Sequence, residues 1–167
     1  MTPLWPHIAI LALVTAQRLV ELPMAAANTR RLLAAGAHEV APRHYPLIVA
    51  VHAAWLASLW WFALGRPIDL VLLCLFALIE AGRLWVLRTL GPRWTTRIIV
   101  VPGERLVTRG PYRFITHPNY VVVCAEIALL PLVFGLWQLA LLFTLLNAAV
   151  LTIRIRAENR ALESLRT

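Results

Sequence analysis

Five apolar stretches divide the chain, at 5–27, 45–64, 68–88, 120–134 and 136–155, and arginine, proline and glycine collect between them. A helix that crosses a bilayer needs about 20 residues. The first three stretches and the fifth meet that length. The fourth is short, and fits a span that tilts little or begins within the interface at His117. No basic segment precedes the first stretch, and Gln17, Arg18 and Glu21 interrupt it, so it reads as a retained helix and not a cleaved signal. The pattern predicts an all-α integral membrane protein, a single polytopic domain over 1–167, with about five transmembrane helices.

The connection between the third and fourth stretches, 89–116, is long for a small membrane protein, and long connections are commonly functional when they are ordered. Residues 96–101, a Pro102-Gly103 turn and residues 104–108 read as a short β-hairpin, and Gly110-Pro111 reads as a second turn. The expectation is a folded cytoplasmic cap, containing this hairpin, between helices 3 and 4.

Composition agrees with the pattern. The chain is 60% hydrophobic and 14% charged, with a mean hydropathy of +0.74, where a soluble domain carries about 25% charged residues. The net charge is +8, all of the basic residues being arginine. Nucleic-acid binding is not implied, because a multi-span chain is basic through its cytoplasmic loops. All of the sixteen arginines except Arg18, Arg66 and Arg83 fall in the first connection, the third connection and the tail or, as Arg88 and Arg154 do, at the adjoining ends of the stretches. The positive-inside rule then sets the N-terminus outside and the C-terminus in the cytoplasm. Trp5, Trp60, Trp61 and Trp137 would form an aromatic belt at the outer interface. Arginine without lysine, beside abundant alanine and leucine, suggests a GC-rich bacterial genome and so a bacterial inner (cytoplasmic) membrane.

Cys74 and Cys124 sit in apolar runs, and neither they nor His7, His38, His44 and His52 have metal-ligand spacing, so no metal is expected. No P-loop, G-x-S-x-G, H-E-x-x-H or Rossmann fingerprint is present. Charges inside the apolar stretches need partners. Arg18 with Glu21, and Glu80 with Arg83, are three apart and read as local ion pairs. Glu126 has no such neighbour and remains a site candidate. A small proton- or cation-coupled transporter using Glu21, Glu80 and Glu126 is the alternative reading, and a non-catalytic membrane scaffold is a third.

The most informative step is His117-Pro-Asn-Tyr120, which sets polar side chains where a loop turns into an apolar helix. Such groups are costly at a membrane unless they contact something, and the step reads as the floor of a cofactor pocket. On the fifth stretch Asn147, Arg154 and Glu158 share one helical face, while Arg156, Arg160 and Arg166 read as interfacial. His117 lies 18 residues before Gly135 and Arg154 lies 19 after it. At about 1.5 Å of rise per residue the two positions reach nearly equal depth.

Gly110-Pro-Tyr112, His117-Pro-Asn-Tyr120 and Arg154-Ile-x-x-Glu158 together resemble the isoprenylcysteine carboxyl methyltransferase family. Gln17-Arg-Leu-Val-Glu-Leu22, Gly36-Ala-His-Glu39 and Trp94-Thr-Thr-Arg-Ile98 are similar to its bacterial branch. The resemblance implies a membrane O-methyltransferase that holds S-adenosylmethionine under a cytoplasmic cap and takes a lipid or lipidated small molecule from the bilayer. It implies cofactor contacts from Glu104, Arg105, Leu106, Val107, Tyr112, His117, Pro118, Asn119, Tyr120 and Glu158. Arg154 would face the anionic group of the acceptor. That acceptor would be an isoprenylcysteine carboxylate or, as for bacterial relatives, a long-chain polyketide phenol or pyrone. Neither an obligate protein partner nor a nucleic acid is implied. Thr116, where the family commonly has arginine, and Asn159, where a second acid is common, depart from its pattern and bear on the acceptor.

Overall fold

The computed structural model describes residues 3–42, 45–103 and 107–163, with side chains as far as Glu158. Five helices carry the fold: α1 (Trp5–Ala34), α2 (Tyr45–Phe62), α3 (Leu70–Leu90), α4 (Pro118–Val133) and α5 (Trp137–Glu163). Four of them, α1, α2, α3 and α5, are long and apolar enough to cross a membrane. The fourth, α4, has 16 residues, about 24 Å of helix, and is the short one that the pattern foresaw.

Local chemistry sets the helix ends. Asp69 caps α3, its carboxylate accepting from the amides of Val71 and Leu72 at 2.9 and 3.0 Å. Pro118 occupies the first turn of α4, where a missing N–H costs nothing. Gly135, at φ +69°, makes the turn into α5 in a conformation that disfavours a side chain. The first helix runs seven residues past its apolar stretch, through Ala34, because Asn28 to Ala34 contain no breaker; Pro23 is accommodated inside it.

The helices alternate in direction and share a core in which Leu11, Trp55, Leu59, Ile127, Leu130 and Phe134 are essentially inaccessible. The indole N–H of Trp55 donates to the Ile127 carbonyl at 3.2 Å, tying α2 to α4. Large apolar side chains such as Leu13, Val20, Val71 and Leu78 point outward, as a lipid-facing surface requires. At one end of the bundle His7 bonds the Arg66 carbonyl at 2.7 Å, and the Asp69 amide donates to Val133 at 2.9 Å. Trp5, Trp61 and Trp137 are exposed there. Trp60, expected in the same belt, turns inward and donates to the Thr15 hydroxyl at 3.0 Å.

Midway along the helices, the expected Arg18–Glu21 pair is present on α1, but the shorter contacts run across the bundle, and Arg83 turns from Glu80 to other helices. Arg83 on α3 donates to Glu21 on α1 at 2.5 and 2.6 Å, and to Glu126 on α4 at 3.0 and 3.2 Å. Arg18 reaches Glu126 at 2.6 Å and Glu21 at 3.4 Å. Glu80 accepts from the Gln17 amide at 2.7 Å. Helix rotation decides this: the side chains that face each other belong to neighbouring helices. Glu126, left without a partner on its own helix, has two from elsewhere.

At the other end of the bundle lies the cap. Its small antiparallel pair joins β1 (His38–Glu39) to β2 (Ile99–Val100), His38 facing Val100 and Glu39 facing Ile99. The strand at 99–100 thus takes its partner from the α1–α2 connection; residues 104–106, on the expected return strand, lie outside the described residues. Arg97 closes the pair with an ion pair to Glu39 at 2.7 Å and stacks its guanidinium 4.3 Å from the Tyr45 ring centre.

Candidate functional site

Beneath the cap is a cavity of about 350 Å³. Two chain segments far apart in sequence meet there: the start of α4 and the end of α5. They come level because Gly135 folds the two helices back on each other, as the residue count from that turn required.

Tyr120 and Arg154 form the centre. Both are nearly inaccessible, at 9% and 8% exposure. The Arg154 Nε donates to the Tyr120 hydroxyl at 2.8 Å, and its Nη1 donates to the Thr96 carbonyl at 2.7 Å. The Tyr120 hydroxyl in turn donates to Glu158 Oε2. His117 stacks on Tyr120 with ring centres 5.2 Å apart, and its Nδ1 lies 4.0 Å from Glu158 Oε1. A directed chain of donors therefore runs Arg154 to Tyr120 to Glu158. The guanidinium carries five N–H groups in all, and among the described residues two of them are engaged, by Tyr120 and Thr96.

The other expected residues fall around this centre. Asn119, Val107 and Tyr112 line the cavity. Burial, and then the negative charge of Glu158, hold the Tyr112 hydroxyl above the ordinary phenol range, so it is a neutral donor. Tyr112 rides on a 3₁₀ turn at Gly110–Arg113 that is pressed against α3: a β-carbon on Gly110 would stand 2.5 Å from the Thr89 hydroxyl oxygen. Pro118, expected as a cofactor contact, is buried in the first turn of α4 and does not line the cavity. Glu104, Arg105 and Leu106 lie outside the described residues. Glu126 belongs to the mid-bundle ion pairs and not to the cavity.

Sequence reasoning passed over one wall of the site. Leu32 on α1, Trp94, Ile98 and Val100 form an apolar surface. Asn28, one turn before Leu32, holds the Trp94 backbone carbonyl at 2.9 Å. Trp94 is 3% exposed, and its indole N–H has no hydrogen-bond partner among the described residues. An unsatisfied buried donor costs about 1–3 kcal/mol, and native structures tolerate few of them. The only sequence signal was the run Trp94-Thr-Thr-Arg-Ile98, to which spacing assigns no role.

The cavity therefore combines an apolar wall carrying an unused donor with polar lining that carries a carboxylate, an imidazole, two phenols and three guanidinium groups. That suits a ligand with a flat aromatic part and a charged part. Among the described residues no cluster of metal-ligating side chains occurs.

Comparison with known proteins identifies the family. The model of the isoprenylcysteine carboxyl methyltransferase (ICMT) family matches residues 70–164, which include α3, β2, α4 and α5. The chain is 36% identical to the uncharacterized protein YpbQ of Bacillus subtilis (strain 168), over 92% of this chain and 95% of that relative. No solved structure matches it. The chain belongs to the isoprenylcysteine carboxyl methyltransferase family.

Proposed function

We propose that the protein is an S-adenosylmethionine-dependent O-methyltransferase acting on a lipophilic acceptor at the cytoplasmic face of a bacterial inner membrane. Family membership suggests methyltransferase activity. The observation that carries the finer reading is the meeting of His117 and Tyr120 with Arg154 and Glu158 in one cavity at the cap end of an apolar bundle. The arginine-rich connections gather at that end, which supports a cytoplasmic cap and an outward N-terminus.

The residues fit the cofactor in charge and shape. Glu158 suits the ribose hydroxyls or the ammonium group, His117, Asn119 and Tyr112 suit the polar remainder, and the Leu32–Trp94–Ile98 wall suits an aromatic base. When bound, the cofactor would supply an activated methyl group on a sulfonium to an acceptor oxygen, with a neutral thioether as the leaving group. An ionised carboxylate, enol or phenol needs no strong base for this. The protein's task is to hold the oxyanion in line and exclude water, which contributes several kcal/mol through orientation alone. Arg154 performs it: Tyr120 and the Thr96 carbonyl fix the guanidinium on two sides, and its other N–H groups bind the acceptor oxygen.

For the acceptor we favour a long-chain polyketide phenol or pyrone over an isoprenylcysteine carboxylate, because the arginine-only composition is bacterial in character. Transfer of a radiolabelled methyl group to a synthetic alkylpyrone and to prenylcysteine, in membranes containing the protein, tests both parts. Labelled pyrone that disappears in Arg154→Ala and Glu158→Ala supports the reading. Transfer at the wild-type rate by both variants would remove the site from the mechanism.

A further inference from the structure

We propose that the indole N–H of Trp94 is a ligand-anchoring donor, directed to a ring nitrogen of the adenine base of an S-adenosyl ligand. The inference rests on the proposed methyltransferase reading and goes beyond it, since the resemblance assigns Trp94 no contact.

Three observations lead to it. Trp94 belongs to the cavity wall, yet its Nε1 is closed off from solvent and has no partner among the described residues. No described residue satisfies the group, and a ligand acceptor would do so. The residue is also firmly held: its amide donates to the Gly91 carbonyl at 3.0 Å, and its carbonyl accepts from Asn28 at 2.9 Å. The backbone is fixed, so presenting the N–H to a ligand needs a turn of the indole about its own side-chain bonds.

The surroundings choose the kind of acceptor. Leu32, Ile98 and Val100 flank Trp94 in the wall and offer only apolar contact. Arg93 and Arg97 line the cavity beside this wall, so an ammonium group would lose hydration there and meet like charge. A purine matches both features, having apolar faces and ring nitrogens that accept. The charged end of the ligand then falls to Glu158 and His117. This division lets one ligand satisfy both walls at once.

The test uses the whole protein in detergent, with its tryptophan indoles labelled by nitrogen-15. Trp94 is the one tryptophan in the cavity wall among the described residues, so a single indole resonance should move downfield on adding S-adenosylhomocysteine. It should also move with 5′-methylthioadenosine, which keeps the base and lacks the amino acid, and should be missing in Trp94→Phe. That variant should bind S-adenosylhomocysteine about tenfold more weakly by calorimetry, while the thermal midpoint of the ligand-free protein stays level or rises. An unmoved set of resonances with bound S-adenosylhomocysteine overturns the proposal, and needs no variant that folds. So does movement with S-adenosylhomocysteine but not with 5′-methylthioadenosine, or wild-type affinity in Trp94→Phe. Absence of any binding by the wild type overturns the methyltransferase reading itself, and this inference with it.

Discussion

Arg154 owes its use to what surrounds it. A guanidinium buried to 8% exposure, with one N–H on a phenol and another on a carbonyl, cannot swing away from its target. Lysine keeps the charge but cannot make both contacts while presenting a third donor. Arg154→Lys is therefore expected to lower kcat on the order of 100-fold, as loss of an oriented oxyanion donor does, with little change in affinity for S-adenosylhomocysteine; steady-state kinetics alongside calorimetry separate the two. Tyr112 gives a pH prediction. Its hydroxyl is held above the ordinary phenol range by burial first and by Glu158 second. A raised value means the folded protein keeps this proton after the unfolded chain has lost its own. The associated stability is complete below pH ~10, the value of a free phenol, and is lost as pH rises above it. Phenolate absorbance during alkaline titration should show a lagging component, and Tyr112→Phe should diminish it.

The elements carry the site by fixing the level at which α4 begins. This helix has 16 residues and cannot set its own depth by length as its neighbours can. Glu126, 1% exposed, ties it to Arg83 on α3 and Arg18 on α1. Removing one member of a buried charged group leaves the others uncompensated, at about 3–5 kcal/mol. Glu126→Gln is expected to lower unfolding free energy in detergent by an amount of that order; a change below about 1 kcal/mol would show the pairs to be dispensable. The 3₁₀ turn before α4 is equally constrained. At Gly110, φ is +59° and the Thr89 side chain leaves no room for a β-carbon. Gly110→Ala should cost about 1–3 kcal/mol and weaken S-adenosylhomocysteine binding, because the turn carries Tyr112.

In the whole molecule, what the sequence made legible follows from periodicity and cost. The apolar stretches are long, so the helices could be read to within a few residues. His117 and Tyr120 stood out because polar groups at the start of an apolar helix need a reason, and the count from Gly135 brought them level with Arg154. Other features were illegible for physical reasons. The strand pair at His38–Glu39 and Ile99–Val100 is two residues long on each side and joins separate connections, so it has no alternation to detect. The pairing of Arg83 with Glu21 and Glu126 depends on how helices rotate against one another, which a spacing of three within one helix does not report. The Trp94 wall is apolar and resembles any core. These same cross-bundle pairs weaken the transporter reading, since Glu21 and Glu126 each engage both Arg18 and Arg83.

The central claim is that segments 117–120 and 154–158 build one ligand site between them. Calorimetric titration with S-adenosylhomocysteine of the purified protein, of His117→Ala, of Glu158→Gln and of the double variant tests it most directly. The account predicts binding by the wild type, weaker binding by each single variant, and a double variant whose loss is smaller than the sum of the two, because both side chains act on one ligand. A wild type that gives no heat of binding, or losses that simply add, would contradict it.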